Sequence, residues 1–142
     1  MNLVEVMKEM AVEEGNFELP DWFDDFASYL FTKDQIIFFV DKENDSLEGY
    51  VCYWKYGKRR FKFIKNCFQE AKGNPIHLTR GDYVYIPLGV ARRDKTEGFQ
   101  DRAVHSIVRK NPSVKEVSLH NDKGEFIRIK VGGEQKWESV DY

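Results

Sequence analysis

The sequence predicts a mixed α/β (α+β) fold, with one central sheet of about six strands, mostly antiparallel, flanked by helices. Three observations carry this. Apolar residues recur at helical spacing in four segments: 2–14, 21–32, 58–72 and 98–111. Runs of strand length, rich in β-branched and aromatic residues, lie between and after them. Two polar turn signals, ENDSLEG and NDKG, join neighbouring runs into hairpins.

Each element follows in chain order. Leu3, Val4, Met7, Met10 and Ala11 share one helical face, and Gly15 and Pro20 end that helix. In DWFDDFASYLFT, Trp22, Phe23, Phe26, Tyr29 and Leu30 keep helical spacing, with Asp21 placed as a cap. QIIFFVDK and GYVCYWKY are two strands of one hairpin. In KRRFKFIKNCFQEAKGN, Phe61, Ile64, Cys67, Phe68 and Ala71 define a helix face over 58–72, and Gly73 is the stop. PIHLTR is a short strand, and Gly81-Asp82 turns into the buried strand YVYIPLGV, residues 83–90. The helix over 98–111 ends at Asn111-Pro112. VKEVSLH, the turn NDKG and EFIRIKV make a second hairpin, with Ile127, Ile129 and Val131 on one side. GGEQKWESVDY is a tail with a weak strand signal. The expected organisation is one domain over 1–142: N-terminal helices in 1–32, a core over 35–133 and a tail over 134–142.

A chain of 142 residues that is 42% hydrophobic and 15% aromatic builds one ordinary core. It has no apolar run of membrane length, and MNLVEVMKEM is acidic and amphipathic, unlike a secretory leader. The expectation is a cytoplasmic protein with no membrane contact. Cys52 and Cys67 match no metal spacing, so reduced thiols and no metal site are expected. The net charge of −2 hides a split. Residues 1–50 hold 13 acidic and 3 basic side chains, and residues 51–142 hold 11 and 19, giving −10 and +8. Such a split either presents a basic face to an anion or lets the halves neutralise each other in the fold.

The stretch VARRDKTEGFQDRAVHSIV, residues 90–108, carries the functional reading. A helix start exposes unpaired N–H groups at the positive end of the dipole, and a glycine there lets a phosphate approach the backbone. Gly98 stands at that place, with Arg92, Arg93 and Lys95 before it. The spacing Val90, Lys95, Gly98, Gln100 resembles the acyl-CoA-binding signature of the GNAT acetyltransferase superfamily. There an apolar strand leads to Val, and Gln/Arg-x-x-Gly-x-Gly/Ala opens a helix. Asn121, Gly124, Arg128 and Gly132-Gly133 fall where the family often has Asn, a small residue, Tyr and Gly-Phe. The resemblance covers residues 35–133. It implies a GNAT-like fold in which the strand holding Pro87 bulges and splays from its neighbour, freeing backbone for the pantetheine arm. It implies acetyl-CoA as cofactor, held by Leu88, Val90, Arg92, Arg93, Lys95, Thr96, Glu97, Gly98, Phe99, Gln100 and Asn121. It also implies an amine of unknown identity as acceptor.

Four departures shape the expectation. The chain opens on helices rather than a strand, and a basic helix with a short strand fills the place of a tight turn. NDKGEFIRIKV reads as a hairpin where the family has a helix, and the family's general-acid Tyr falls on Arg128, which cannot easily release a proton. Attack of an amine on a thioester needs a base, an oxyanion contact and a proton for sulfur. Asp82 and Tyr85 are the candidate catalytic side chains, while Asp82 also reads as a turn residue and Tyr83 and Tyr85 as packing. Amides near Leu88 and Val90 are candidates for the oxyanion contact. His77, His105 and His120 show no ligand spacing and read as surface or satisfied histidines. Three functions stay open: an N-acetyltransferase, a GNAT-like scaffold of phage or mobile-element type without chemistry, and a nucleic-acid binder using Lys58, Arg59, Arg60, Lys62 and Lys65. The oligomeric state is open, with a dimer allowed.

Overall fold

The computed structural model describes residues 2–15, 19, 21–60, 78–121, 123–131 and 137–141. Among them, the first helix is α1 (Leu3–Gly15), started by the Asn2 side chain, whose Oδ1 accepts the Glu5 N–H at 2.9 Å. Next comes α2 (Phe23–Thr32). Its N-cap is Trp22 and no side chain caps it, so the expected Asp21 cap does not form. Burial of Phe23, Phe26, Ala27 and Leu30 stabilises α2 instead.

Six strands follow: β1 (Ile36–Asp41), β2 (Ser46–Tyr56), β3 (Tyr83–Ala91), β4 (Glu116–His120), β5 (Phe126–Val131) and β6 (Trp137–Asp141). They form one sheet in sequence order. Every neighbouring pair is antiparallel except β3 and β4, which run parallel. A parallel pair needs a crossover, and α3 (Phe99–Lys110) supplies it. The mixed, mostly antiparallel sheet is thus the one expected, and 121–131 is a hairpin. The tail differs from expectation by forming a full strand, because β5 offers it an open edge to pair with. PIHLTR is described only from Leu78, and Thr79 makes one parallel bridge to Lys55. The basic helix expected over 58–72 is described only at Lys58–Arg60, a single 3-10 turn. Cys67, His77 and Gly132-Gly133 also lie outside the described residues.

The sheet is buried on both faces. Tyr50, Cys52, Trp54 and Tyr56 of β2 turn one face to α1 and α2, where Met7, Ala11, Phe26 and Leu30 pack. Val51 and Tyr53 turn the other face to Ala103, Val104, Ile107 and Val108 of α3. This two-sided burial explains why β2 reads as a nearly continuous apolar run. Gln35 closes the end of the sheet: its Nε2 donates to the carbonyls of Tyr53 at 2.8 Å and Leu78 at 3.0 Å.

Two irregularities position the site. Between Cys52 and Trp54 of β2 the partner residues on β3 go from Leu88 to Tyr85, so Ile86 and Pro87 together face Tyr53. That is a β-bulge on β3, and it tolerates a residue that lacks an N–H. A second shift lies at Phe39/Val40, whose partners are Gly49 and Leu47, leaving Glu48 as the extra residue on β2.

Candidate functional site

The pairing of β3 with β4 covers only Tyr83 to Ile86 against Glu116 to Leu119. Beyond Ile86 β3 continues for five residues without β4 beside it. A cleft of about 550 Å³ opens there, bordered by Pro87, Gly89, Phe99, Gln100, His120 and Asn121 among others. Its size is that of a small-molecule site.

Backbone direction in the cleft follows from the ladder. The Arg92 N–H donates to the Glu48 carbonyl at 2.8 Å. In an antiparallel ladder, alternate residues point to alternate sides. Leu88 and Val90 therefore turn their backbone groups to β2, and Gly89 and Ala91 turn theirs to the open side. The side chain of Val90 is buried and that of Leu88 half-buried, both against the α1 and α2 face.

The α3 N-terminus meets the same cleft. Gly98 is its N-cap at φ 71°, in the left-handed region that favours glycine, and no side chain caps the helix. The space around Gly98 is open, with no atom within 4 Å of the place a Cβ would take. Phe99 seats the first turn. A Cβ on Gly89 would lie 3.7 Å from its ring and one on Gly49 2.9 Å from it. The Phe39 ring crosses Phe99 at 5.3 Å. Thr96 and Gln100 border the cleft, and Glu97 is exposed beside them.

Two cations of the loop, Arg93 and Lys95, are partnered. The Arg93 N–H donates to Glu14 Oε2 at 3.1 Å, and its guanidinium lies 3.8 Å from the same carboxylate. Glu48, side chain 15% exposed, takes Arg102 at 3.1 Å and Lys95 at 3.8 Å. The bulge in β2 carries Glu48 to the α3 side, where both cations stand. Arg92 is fixed through its backbone to β2.

The two candidate catalytic residues lie apart. Asp82 is exposed before the start of β3, five residues from Pro87, or roughly 16 Å at ~3.3 Å per residue. Its carbonyl accepts the Lys115 N–H at 2.7 Å, which continues the β3–β4 pairing by one position. Tyr85 is 1% exposed next to the bulge, and its hydroxyl lies 2.7 Å from Nδ1 of His120, a residue bordering the cleft. Asn121 also borders the cleft but works as a turn residue: its Oδ1 accepts the N–H groups of Lys123 at 3.0 Å and Glu125 at 2.9 Å. Arg128 holds Glu116 at 2.6–2.7 Å, and Glu116 Oε2 is buried without a hydrogen-bond partner.

Sequence reasoning passed over Glu48 and Gly89, and read His120 as a surface or satisfied histidine, which its contact with Tyr85 makes it. For Gly89 a signal was present, a glycine inside an apolar strand two residues after a proline. Nothing local marks His120 and Glu48, whose partners lie 35 and 54 residues away. Among the described residues, no group of three or more His, Cys, Asp or Glu side chains could hold a metal ion, and no helix is long and apolar enough to cross a membrane.

No family model matches the chain, and no curated protein matches it. Among solved structures it is similar to an N-acetyltransferase from Staphylococcus aureus Mu50, at 16% identity and a TM-score of 0.39, covering 82% of this chain and 71% of that one.

Proposed function

We propose that the cleft binds acetyl-CoA and that the protein transfers its acetyl group to an amine. The single observation that carries this reading is the parting of β3 from β4 after Ile86, at a bulge containing Pro87, with the open side of β3 leading to the uncapped start of α3. The donors present fit the group in two parts. Gly89 and Ala91 offer the backbone edge that would accept an extended pantetheine arm as a strand accepts its neighbour. The first-turn amides of Gln100 and Asp101, after a Gly98 with open space around its Cα, suit the pyrophosphate, while the Phe99 N–H already donates to the Thr96 carbonyl at 3.1 Å. When bound, acetyl-CoA supplies an acyl group activated as a thioester. Thr96 and Gln100 would flank the phosphates, Lys95 and Arg102 would lend charge by exchanging Glu48 for phosphate, and Phe99 would fix the helix start against Gly89. Asn121 would close the far wall.

Isothermal titration with acetyl-CoA tests this reading. The wild-type chain is expected to give a saturable heat at micromolar to millimolar ligand, and Gly98→Glu, which sets a negative charge at the helix start, to lose at least tenfold in affinity. Absence of heat at millimolar acetyl-CoA, with the chain folded by circular dichroism, contradicts the reading.

A second reading, a binding scaffold without chemistry, is favoured by Gln100. It borders the cleft at the place where the resembling family has a glycine or alanine. Acetyl-CoA binding with no thiol release in the presence of any primary amine tried would favour the scaffold.

A further inference from the structure

The sheet ends on an edge that is apolar, regular and complementary to itself. β1 is the first strand in the order, and its one neighbour among the described residues is β2. The Tyr53 N–H donates to the Gln35 carbonyl at 3.1 Å, so Ile37 and Phe39, in alternation, turn their backbone groups to β2. Ile36, Phe38 and Val40 turn theirs outward, and among the described residues no backbone hydrogen bond reaches that side. Edge strands are commonly blunted by lysine, proline or a bulge. IIFFV, residues 36–40, has neither lysine nor proline. The bulge beside it adds its extra residue, Glu48, to β2 and leaves β1 regular. Apolar side chains collect at this edge on the α1 and α2 face. Phe38 packs there from β1, and Val40, two residues on, is 51% exposed. Phe31 of α2, 50% exposed, meets the Phe38 ring at 6.5 Å.

We propose that β1 is a dimer interface, where a second copy of this chain adds its own β1 antiparallel to the first across a two-fold axis at Phe38. The outward residues choose the register. With Phe38 opposite Phe38, Ile36 stands opposite Val40 of the other copy and Val40 opposite Ile36, so all three outward residues pair. A slip of two residues either way leaves one of them without a partner. The same register sets Asp34 opposite Lys42 of the other copy, and Lys33 opposite Glu43. The axis repeats both, so opposite charges meet at each end of the paired strands. This complementarity of the edge with itself selects a second copy as the partner. An axis normal to the sheet keeps the α1 and α2 face of both copies on one side. Phe31, Phe38 and Val40 of one copy therefore meet those of the other and leave water together. β1 lies two strands from the parted β3–β4 pair, so the contact forms with or without a ligand in the cleft.

Sedimentation equilibrium of the full chain tests the interface. From roughly 10 μM to 1 mM the wild type is expected to follow a monomer–dimer equilibrium with no larger species. Val40→Lys, at an exposed position, is expected to weaken the dimer about tenfold or more while circular dichroism stays unchanged. Glu43→Lys is expected to weaken it about threefold or more, and adding Lys33→Glu to restore it to within about twofold. Amide hydrogen exchange reads the same contact without any substitution. Protection at Ile36, Phe38 and Val40 is expected to rise with wild-type concentration, while Ile37 and Phe39, bonded to β2, keep theirs. A chain still monomeric at about 1 mM overturns the inference, as does exchange at Phe38 that ignores concentration. So do a dimer that Val40→Lys leaves intact and a charge-swapped double variant no tighter than Glu43→Lys. Species growing beyond the dimer, the sign of β1 adding to β6 of the next copy, overturn it as well.

Discussion

Two glycines show how much a single missing side chain decides. A Cβ on Gly49 would lie 2.6 Å from the Val90 carbonyl oxygen and 2.9 Å from the Phe99 ring, so β3 or the start of α3 must move. Gly49→Ala is expected to cost about 1–3 kcal/mol by overpacking, a fall in Tm on the order of 3–10 °C by calorimetry. Gly98 differs, because its surroundings are open and only its φ of 71° resists a side chain. Gly98→Ala is therefore expected to cost only about 1–2 kcal/mol, all of it backbone strain. A Tm unchanged in the first variant and lowered in the second would invert that argument.

Among the elements, β4 and β5 are tied by a buried ion pair. Glu116 is 3% exposed at its side chain and Arg128 16%. Removing the cation leaves a carboxylate buried and unpaired, so Arg128→Ala is expected to lose about 3–5 kcal/mol, read as a shifted denaturant midpoint. Loss below about 1 kcal/mol would mean that water reaches Glu116 on relaxation. The same elements show what a sequence makes legible. The long strand over 83–90, the helix after Gly98 and the hairpin over 121–131 were readable because each has a strong local period or turn signal. The tail strand was not, since WESVD has little apolar alternation and its pairing depends on the free edge of β5. Asp21 followed the capping rule and lost to burial, because packing of α2 outweighs a single cap. In the site, Gly98 and Pro87 were legible from spacing. The Tyr85–His120 contact was not, since it exists only once β3 and β4 lie side by side.

At the scale of the whole molecule, the opposite charges of the two halves meet within the fold. Arg93 pairs with Glu14, Lys95 and Arg102 with Glu48, and Lys110 with Asp34, each joining the acidic N-terminal half to the basic remainder. The charge split read from the sequence is therefore spent partly inside the fold rather than on a partner. These pairs are at least partly exposed and contribute little each, so raising salt is expected to change Tm by no more than a few degrees. Alkaline pH acts more strongly. Burial pushes the Tyr50 and Tyr53 hydroxyls up and the Tyr56 hydroxyl to about 12 from the ordinary 10.0. A group that is harder to ionise folded than unfolded stabilises the fold below its unfolded pKa and loses that contribution as pH rises towards the folded one. Stability is thus expected to hold to about pH 10 and to decline between 10 and 12, with tyrosinate absorbance growing as the chain unfolds. A tyrosinate signal completed near pH 10 in the folded chain would count against the burial of these rings.

The central claim is that the parted strands and the start of α3 form one acyl-CoA site. Amide-resolved nuclear magnetic resonance during titration with acetyl-CoA tests it most directly. The account predicts shifts concentrated at the N–H groups of Gly89 and Ala91 and at those of Thr96 to Asp101, with Leu88 and Val90 moving less because their amides face β2. Shifts confined to the opposite face of the sheet, or none at saturating ligand, would contradict it.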